Sequence, residues 1–125
     1  MDKVFLEEII YRYKHPLHRG KNSGQKIASE NVSCGDKITI YLEIFDDKIV
    51  DAKFDGSLCS IANYGAELLL DKIIGQKITE LSQINSADLL GEIGASLLQN
   101  PVRLKCFELA QIALNELKSA SQKRI

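Results

Sequence analysis

Three cysteines and one aspartate are the residues of this chain whose types suit metal or sulfur chemistry. Cys34 and Asp36 lie in the segment NVSCGD, Cys59 follows a predicted strand pair, and Cys106 is far downstream. A glycine between Cys34 and Asp36 lets the backbone turn sharply, which brings thiol and carboxylate close together. Three thiolates and one carboxylate form a sufficient tetrahedral set for zinc, or for iron in a cluster.

The surroundings of two cysteines give this hypothesis some local support. Cys59 is predicted in the first turn of a helix, where the helix dipole favours the thiolate. Cys106 lies beside Lys105, whose ammonium group would act in the same direction. Yet the chain has no C-x-x-C pair, and Cys106 falls on the apolar face of its helix, where a free cysteine often serves as a small buried hydrophobe. Spacing alone leaves both interpretations open.

Length and composition indicate one soluble domain spanning residues 1–125. The chain is 45% hydrophobic and 26% charged, with a net charge of −1, so it is neither disordered nor basic enough for a general nucleic-acid binder. No run approaches the ~20 apolar residues that span a bilayer, and no signal peptide is evident. We therefore expect a cytoplasmic protein without nucleic-acid or membrane partners, whose thiols stay reduced.

The order of predicted elements is a helix, three strands and then further helices. Residues 3–13 have apolar side chains at helical spacing, residues 25–31 are predicted to form a short strand, and residues 38–55 alternate as a hairpin. Val50, Ala52 and Phe54 are predicted to share one face of the second hairpin strand. Runs of strands followed by runs of helices indicate an α+β fold, with the sheet covered on one face.

Capping signals predict the helices of the second half. Ser57 is predicted to cap a helix that ends near Gly75, and Ser86 to cap a helix over 87–98. Asn100 and Pro101 together are a strong start signal for a last helix running to about residue 119.

The motifs of the chain resemble those of a known family. The segment N-x-S-C-G-D-K-I-T-I-Y-L-E-I, the following D-x-K-I-V-D-A-K-F-D-G and then C-S-I are similar to the iron–sulfur scaffold family of IscU, SufU and the NifU N-terminal domain. Tyr13, Pro16 and Gly20 match that family's Y-x-x-P-x-x-x-G. Cys106 follows Pro101 on a helix, as in the family, and the resemblance covers almost the whole chain.

The resemblance implies a fold and a site. The fold is a three-stranded antiparallel sheet with helices packed on one face, of the SufE/NifU-like type. The cysteines and the aspartate would meet at one exposed end of it, where Cys34, Cys59 and Cys106 would bind a [2Fe-2S] cluster or zinc and accept sulfur. Asp36 would be the fourth metal ligand in the zinc form and would assist cluster release, and Cys106 is the preferred sulfur acceptor.

Two functions follow from the resemblance. In the first, the protein is a scaffold that takes sulfur from a cysteine desulfurase, binds iron, builds a [2Fe-2S] cluster and passes it to apo-proteins. In the second, it is a zinc-dependent SufU-type sulfurtransferase. Lys105 favours the second, because IscU proteins carry histidine there, whereas the short span between Cys59 and Cys106 favours the first, since SufU proteins carry an insertion there. We expect the scaffold.

Other features have simpler interpretations. The chaperone-binding L-P-P-V-K of IscU is only echoed by residues 100–103, so no dedicated chaperone partner is expected. His15 and His18 are predicted to be solvated loop residues rather than metal ligands, and the first helix with its following loop would be the surface for partner docking. A third possibility is an interaction domain with a closed structural zinc site, which would not respond to a desulfurase.

Overall fold

The computed structural model describes residues 3–31 and 34–123, with the backbone alone at Ser82 and from residue 117 onward. Its elements are α1 (Lys3–Lys14), β1 (Gln25–Asn31), β2 (Asp36–Phe45), β3 (Lys48–Ser57), α2 (Ser60–Ile73), a 3₁₀ helix (Ile78–Gln83), α3 (Ser86–Leu90), a second 3₁₀ helix (Ala95–Gln99), α4 (Pro101–Phe107) and α5 (Leu109–Lys123). The predicted α+β class is confirmed, and so are the first helix and the three strands.

The three strands form an antiparallel sheet in the order β1-β2-β3. A two-residue turn joins β2 to β3, and both of its residues, Asp46 and Asp47, have positive φ angles of 53° and 62°. Positive φ at both positions gives the turn the twist that a tight hairpin needs, and short polar side chains tolerate that conformation best. The pairing of Asn31 with Asp36 then places the far ends of β1 and β2 together, next to Cys34.

The predicted face of β3 is wrong at one residue, Val50. Glu43 pairs with Asp51 and Ile44 pairs with Ile49, so Val50 is an extra residue in β3. The resulting bulge turns Val50 outward, where it is 53% exposed, and buries Ile49 completely in its place. Strict alternation could not reveal this bulge, because Ile49 and Val50 are equally apolar.

The helices cover one face of the sheet and form two connected cores. The larger core lies between the sheet, α2 and α5, and includes Ile40, Phe54, Leu70 and Leu114. The smaller core lies among α1, α2 and α4 and includes Phe5, Ile9, Tyr64, Leu97 and Phe107. Because α2 contributes to both cores, it connects the sheet to the helix that carries Cys106.

Helix α2 packs very closely against α4 at Gly65. A methyl group added to Gly65 would lie 2.0 Å from the carbonyl oxygen of Phe107, which is far inside van der Waals contact. Glycine is therefore required there for steric reasons, even though it weakens an isolated helix. This contact fixes α4, and Cys106 with it, relative to the start of α2.

Several predicted helix boundaries are wrong. Ser57 belongs to β3, and the residue that caps α2 is Cys59. Asn85, rather than Ser86, caps α3 by accepting a hydrogen bond from the Asp88 amide. The predicted helix over 87–98 is two short segments, because Gly91 ends α3 with a φ of 61° and the chain resumes as a 3₁₀ helix at Ala95.

The last predicted helix begins where expected but is divided. Asn100 caps α4 by accepting a hydrogen bond from the Arg103 amide, and Pro101 is the first helical residue. Glu108 ends α4, and α5 continues from Leu109 to Lys123. None of the helices within the described ranges combines the length and the apolar character needed to cross a membrane.

Candidate metal and sulfur site

Cys34 and Cys106 come together at the end of the sheet. Cys34 lies in the turn before β2, and Cys106 lies near the end of α4, yet their Sγ atoms are 3.9 Å apart. Cys34 is exposed and Cys106 is half-buried, so a partner protein or an ion can reach them. This proximity is what a shared metal or a sulfur transfer between thiols requires.

Asp36 is the buried carboxylate of the site. One carboxylate oxygen of Asp36 and the Sγ atoms of Cys34 and Cys106 all lie within 4.8 Å of one another. The Asp36 side chain is only 7% exposed, and its Oδ2 atom has no hydrogen-bond partner within the described part of the chain. Since buried oxygens are nearly always paired, an unpartnered one beside two thiols fits a bound cation.

Cys59 joins the site through the other oxygen of Asp36. The main-chain N–H of Cys59 donates to Asp36 Oδ1 over 3.2 Å. The Cys59 Sγ atom accepts a hydrogen bond of 3.4 Å from the Ala62 amide, so this cysteine is the N-cap of α2 rather than a residue of its first turn. Its thiol is exposed, and Cys59 is not among the residues whose ligand atoms lie within 4.8 Å of one another, which are Cys34, Asp36 and Cys106. It is near enough to influence the pKa of Cys106.

The pKa values of two thiols are raised in the metal-free protein. Burial raises the pKa of Cys106 to about 12, and the neighbouring Cys34, Cys59 and Asp36 act in the same direction. Burial also raises the pKa of Cys59, because the amide donors at the start of α2 only partly offset it. The helix dipole at Cys59 and Lys105 beside Cys106 therefore do not lower these two pKa values, and a cation in the site would favour the thiolate forms.

Asn31 is a neighbour of the site that the sequence patterns did not single out. It is the last residue of β1, it is 7% exposed, and its side-chain Nδ2 donates to Cys106 Sγ over 3.8 Å. The signal that could have identified it is its place as the first residue of the N-x-S-C-G-D motif, and in the structure it pairs with Asp36. A buried amide donor aimed at sulfur favours negative charge on that sulfur.

The structure separates the two histidines from the candidate site. His18 is not a solvated residue as predicted, because its side chain is 13% exposed and its Nε2 lies 2.6 Å from Asp71 Oδ1. His15 is exposed, as predicted, with its ring 4.8 Å from that of Tyr11. Lys105 is also exposed, next to Cys106 in the chain.

A buried charge cluster holds the loop after α1 in place. Glu67 of α2 is fully buried and accepts hydrogen bonds from Arg12 and from the main-chain amides of Leu17 and His18. Arg12 also donates to Asp71, one helical turn further on. Sequence reasoning missed this cluster, although a glutamate within the apolar run of α2 was a detectable signal.

The same cluster shifts the pKa of Asp71. Burial alone would raise this pKa, but the hydrogen bonds from Arg12 and His18 outweigh burial and lower it. Asp71 is therefore ionised at neutral pH and fastens the loop over residues 15–20 to α2.

Comparisons with known proteins identify the family. Residues 4–124 match the family model of the NifU-like N-terminal domain. An iron–sulfur cluster assembly scaffold protein IscU from Thermotoga maritima is 36% identical, with 96% of this chain and 97% of that protein covered. The zinc-dependent sulfurtransferase SufU from Bacillus subtilis is 30% identical, with 93% and 90% covered.

Solved structures share the fold. A candidate iron–sulfur cluster assembly scaffold for the SUF system from Fervidobacterium islandicum superposes with a TM-score of 0.72 at 26% identity, over 92% of this chain and 93% of that one. The N-terminal part of a NifU-like protein from Brucella abortus gives 0.65 at 15% identity, over 93% and 90%, and supports the fold alone. The chain belongs to the NifU-like N-terminal domain family, and its relatives include the IscU scaffold protein of Thermotoga maritima and the SufU sulfurtransferase of Bacillus subtilis.

Proposed function

We propose that this protein is a scaffold on which a [2Fe-2S] cluster is built and from which it is passed to apo-proteins. The single observation that carries the proposal is the 3.9 Å approach of Cys34 Sγ to Cys106 Sγ beside the unpartnered Oδ2 of buried Asp36. The relative from Thermotoga maritima, which is 36% identical, is an iron–sulfur cluster assembly scaffold protein, and this similarity supports the same conclusion.

The proposed ligands have different surroundings, and these suggest different roles. Exposed Cys34 and Cys59 supply thiolates at the rim, and half-buried Cys106 receives the Asn31 amide as a donor. Asp36 adds an oxygen ligand, which binds the iron of a cluster, or zinc, less firmly than a fourth thiolate would. A set of three sulfurs and one oxygen therefore suits a cluster that must leave again.

Cys106 is the proposed acceptor of sulfur. Its thiol would lose its proton and attack the outer sulfur of a persulfide on the desulfurase, which forms a persulfide here and releases the desulfurase thiolate to take up a proton. A persulfide sulfur must then gain two electrons to become sulfide, so cluster assembly also needs ferrous iron and a reductant. The short distance to Cys34 keeps the accepted sulfur next to the other proposed ligands.

The desulfurase is proposed to bind near α1 and its following loop. Ile10, Tyr13 and Leu17 are half or more exposed although they are large and apolar. Such residues in one segment are typical of a protein-binding surface. Of the apolar side chains at helical spacing over residues 3–13, the structure buries only Phe5 and Ile9.

A second candidate is a zinc-dependent sulfurtransferase. Lys105 in place of a histidine and the 30% identity to SufU of Bacillus subtilis favour it. The residues present fit zinc, since thiolates and one carboxylate oxygen are normal ligands of that ion and the Asp36 oxygen is orphaned. Bound zinc would supply the positive charge that keeps the thiols deprotonated.

An anaerobic reconstitution decides between these candidates. The protein is incubated with a limiting amount of cysteine desulfurase, cysteine, ferrous iron and a thiol reductant, while visible absorption, iron and acid-labile sulfide are measured. A cluster that is lost in Cys34→Ser and can be transferred to an apo-ferredoxin is the result expected for a scaffold. Leu58→Ala, which keeps all the proposed ligands, is the matched control.

Two other results would lead elsewhere. No cluster, together with firmly held zinc and a large rise in desulfurase turnover, would indicate the sulfurtransferase. Firmly held zinc without any effect on desulfurase turnover would indicate an interaction domain with a structural zinc site, and would contradict both candidates. Zinc in the purified protein decides nothing by itself, because zinc commonly fills thiolate sites.

A further inference from the structure

Arg19 connects the loop after α1 to both sides of Cys59. One guanidinium nitrogen of Arg19 donates to the main-chain oxygen of Gly56, and the other donates to Asn63 Oδ1 over 3.3 Å. Gly56 lies before Cys59 in the chain and Asn63 lies after it, in the first turn of α2. The Arg19 side chain thus spans the segment that contains Cys59.

Further contacts fix the direction of the Arg19 side chain. Its Nη2 atom is 3.6 Å from Asp55 Oδ1, and its guanidinium carbon lies 5.6 Å from the centre of the Phe54 ring. The main chain on either side of Arg19 is also held, because the His18 oxygen accepts from the Phe54 amide and the Gly20 amide donates to the Phe54 oxygen. Because the main chain of Arg19 is held in this way, its guanidinium group has a fixed position relative to Gly56 and Asn63.

The position of Cys59 depends on the residues that Arg19 holds. The Asn63 amide donates to the Cys59 oxygen over 2.9 Å, and the Ala62 amide donates to Cys59 Sγ. Asp36 holds the Cys59 amide from the opposite side. Without Arg19, the oxygen of Gly56 and the side chain of Asn63 would lose a shared donor, and the cap of α2 would be free to shift.

We propose that Arg19 is a positioning residue for Cys59, the proposed ligand at the N-cap of α2. Arg19 does not touch the bound ion or the sulfur, and it acts through Gly56 and Asn63. This inference rests on the proposed function only in treating Cys59 as a ligand. It assigns a role to a residue whose contacts lie entirely outside the set of proposed ligands.

The test compares Arg19→Met with Arg12→Met in the full chain. Arg12 also fastens the segment after α1 to α2, but its partners are Glu67 and Asp71, a turn or more beyond Asn63. Methionine keeps an apolar stem in both variants and removes the guanidinium group. Arg19→Lys is the conservative variant, since one ammonium group can reach one of the two acceptors but cannot span both.

The first readout needs no metal. Amide hydrogen exchange is followed by NMR at Ala62 and Asn63, with the Ile74 amide at the other end of α2 as the internal reference. We expect exchange at Ala62 and Asn63 to speed up by about tenfold in Arg19→Met, with Ile74 unchanged, and to remain at the wild-type rate in Arg12→Met. Arg19→Lys should give exchange rates at these two amides between those of wild type and Arg19→Met.

The second readout is the affinity for Co²⁺, followed by its visible absorption bands. We expect Arg19→Met to bind Co²⁺ about 10-fold more weakly than wild type, and Arg12→Met to bind it normally. Unchanged exchange at Ala62 and Asn63, or equal effects of the two variants, would overturn the role of Arg19. If Arg19→Met does not fold, Arg19→Lys is judged by the same two results.

The two readouts also keep this inference separate from the proposed function. A wild-type protein that does not bind Co²⁺ would contradict the proposed metal site, while the exchange rates would still decide whether Arg19 positions Cys59.

Discussion

Asp36 accepts a hydrogen bond from the Cys59 amide over 3.2 Å with one oxygen and leaves its second oxygen unpartnered within the described residues. The first oxygen organises the metal-free site, because it joins the start of β2 to the N-cap of α2. The second is available for a cation. One side chain thus has a structural role and a proposed ligand role that substitutions can separate.

Asp36→Asn is predicted to weaken zinc binding without loosening the fold. The asparagine oxygen can still accept from the Cys59 amide, whereas the negative ligand is lost, so the affinity for Zn²⁺ should fall by about 10-fold or more. Removing the negative charge of a buried carboxylate whose Oδ2 atom has no partner among the described residues should leave the metal-free melting temperature equal to or above that of wild type. Competition titration and thermal unfolding measure the two effects.

Asp88→Asn, at an exposed position of α3, is the control for that experiment. It should change neither the affinity nor the melting temperature. A metal-free Asp36→Asn protein that melts well below wild type, with normal zinc affinity, would show that Asp36 is a structural residue only.

Zinc binding is predicted to release protons. Cys106, with its pKa raised to about 12, and Cys59, with its pKa raised, both hold their protons at neutral pH. Zinc binds thiolates, so the three proposed cysteine ligands should release two to three protons per ion, two of them from Cys59 and Cys106, and apparent affinity should rise by about 100-fold or more per pH unit between pH 6 and 8. Titration in a weakly buffered indicator solution counts the protons.

Cys59→Ser should reduce that proton release by about one, since serine stays protonated in this range. A pH-independent affinity in the wild-type protein would contradict the raised pKa values. It would mean instead that the thiolates exist before the metal arrives.

Much of this arrangement could be predicted from the sequence. The strands, the first helix and the start of α4 follow from apolar periodicity and from the Asn100-Pro101 signal, because these are local properties. The meeting of Cys34 with Cys106 followed from the family resemblance and not from spacing. A contact between residues 72 positions apart depends on how α4 packs against α2.

The features that were missed share a physical cause. The bulge at Val50 depends on pairing between strands, and the division of the last helix at Glu108 depends on tertiary packing. Glu67 interrupts the apolar run of α2, but its complete burial depends on donors far away in the sequence, which are Arg12 of α1 and the main-chain amides of Leu17 and His18. Periodicity contains no information about such partners.

The hydrogen bonds of Asp71 predict a loss of stability in acid. The pKa of Asp71 is lowered from 3.8, so the folded protein holds the charged form more firmly than the unfolded chain does. The stabilisation is therefore present above pH 3.8 and is lost as the pH falls through the lowered pKa of the folded state. Urea unfolding of wild type and Asp71→Asn at pH 7 and at pH 3 measures it.

We expect Asp71→Asn to be less stable than wild type at pH 7, with a smaller difference at pH 3. Asp47→Asn, in the hairpin turn, serves as the control, because the Asp47 carboxylate makes no hydrogen bond or ion pair within the described part of the chain. An equal difference at both pH values would show that Asp71 acts by packing and not by its charge.

Gly65→Ala is predicted to destabilise the protein. In an ordinary helix this change adds about 1 kcal/mol of stability, since alanine is the better helix former. Here the new methyl group would lie 2.0 Å from the Phe107 oxygen, so α2 and α4 must separate, and we expect a net loss of about 2 kcal/mol or more. Chemical unfolding gives the magnitude.

Lys72→Ala, at an exposed position of the same helix, is the control and should be nearly neutral. A more stable Gly65→Ala protein would mean that α4 can move away at little cost. Since α4 carries Cys106, that result would also remove the argument that the close contact fixes the position of this cysteine.

The central claim is that Cys34, Asp36, Cys59 and Cys106 of one chain bind a single ion together, and zinc X-ray absorption tests it most directly. The monomeric protein loaded with one Zn²⁺ should show three sulfur neighbours at about 2.3 Å and one oxygen at about 2.0 Å, and the oxygen signal should change in Asp36→Asn. Two or fewer sulfur neighbours, or four of them from a zinc-linked dimer, would contradict the claim.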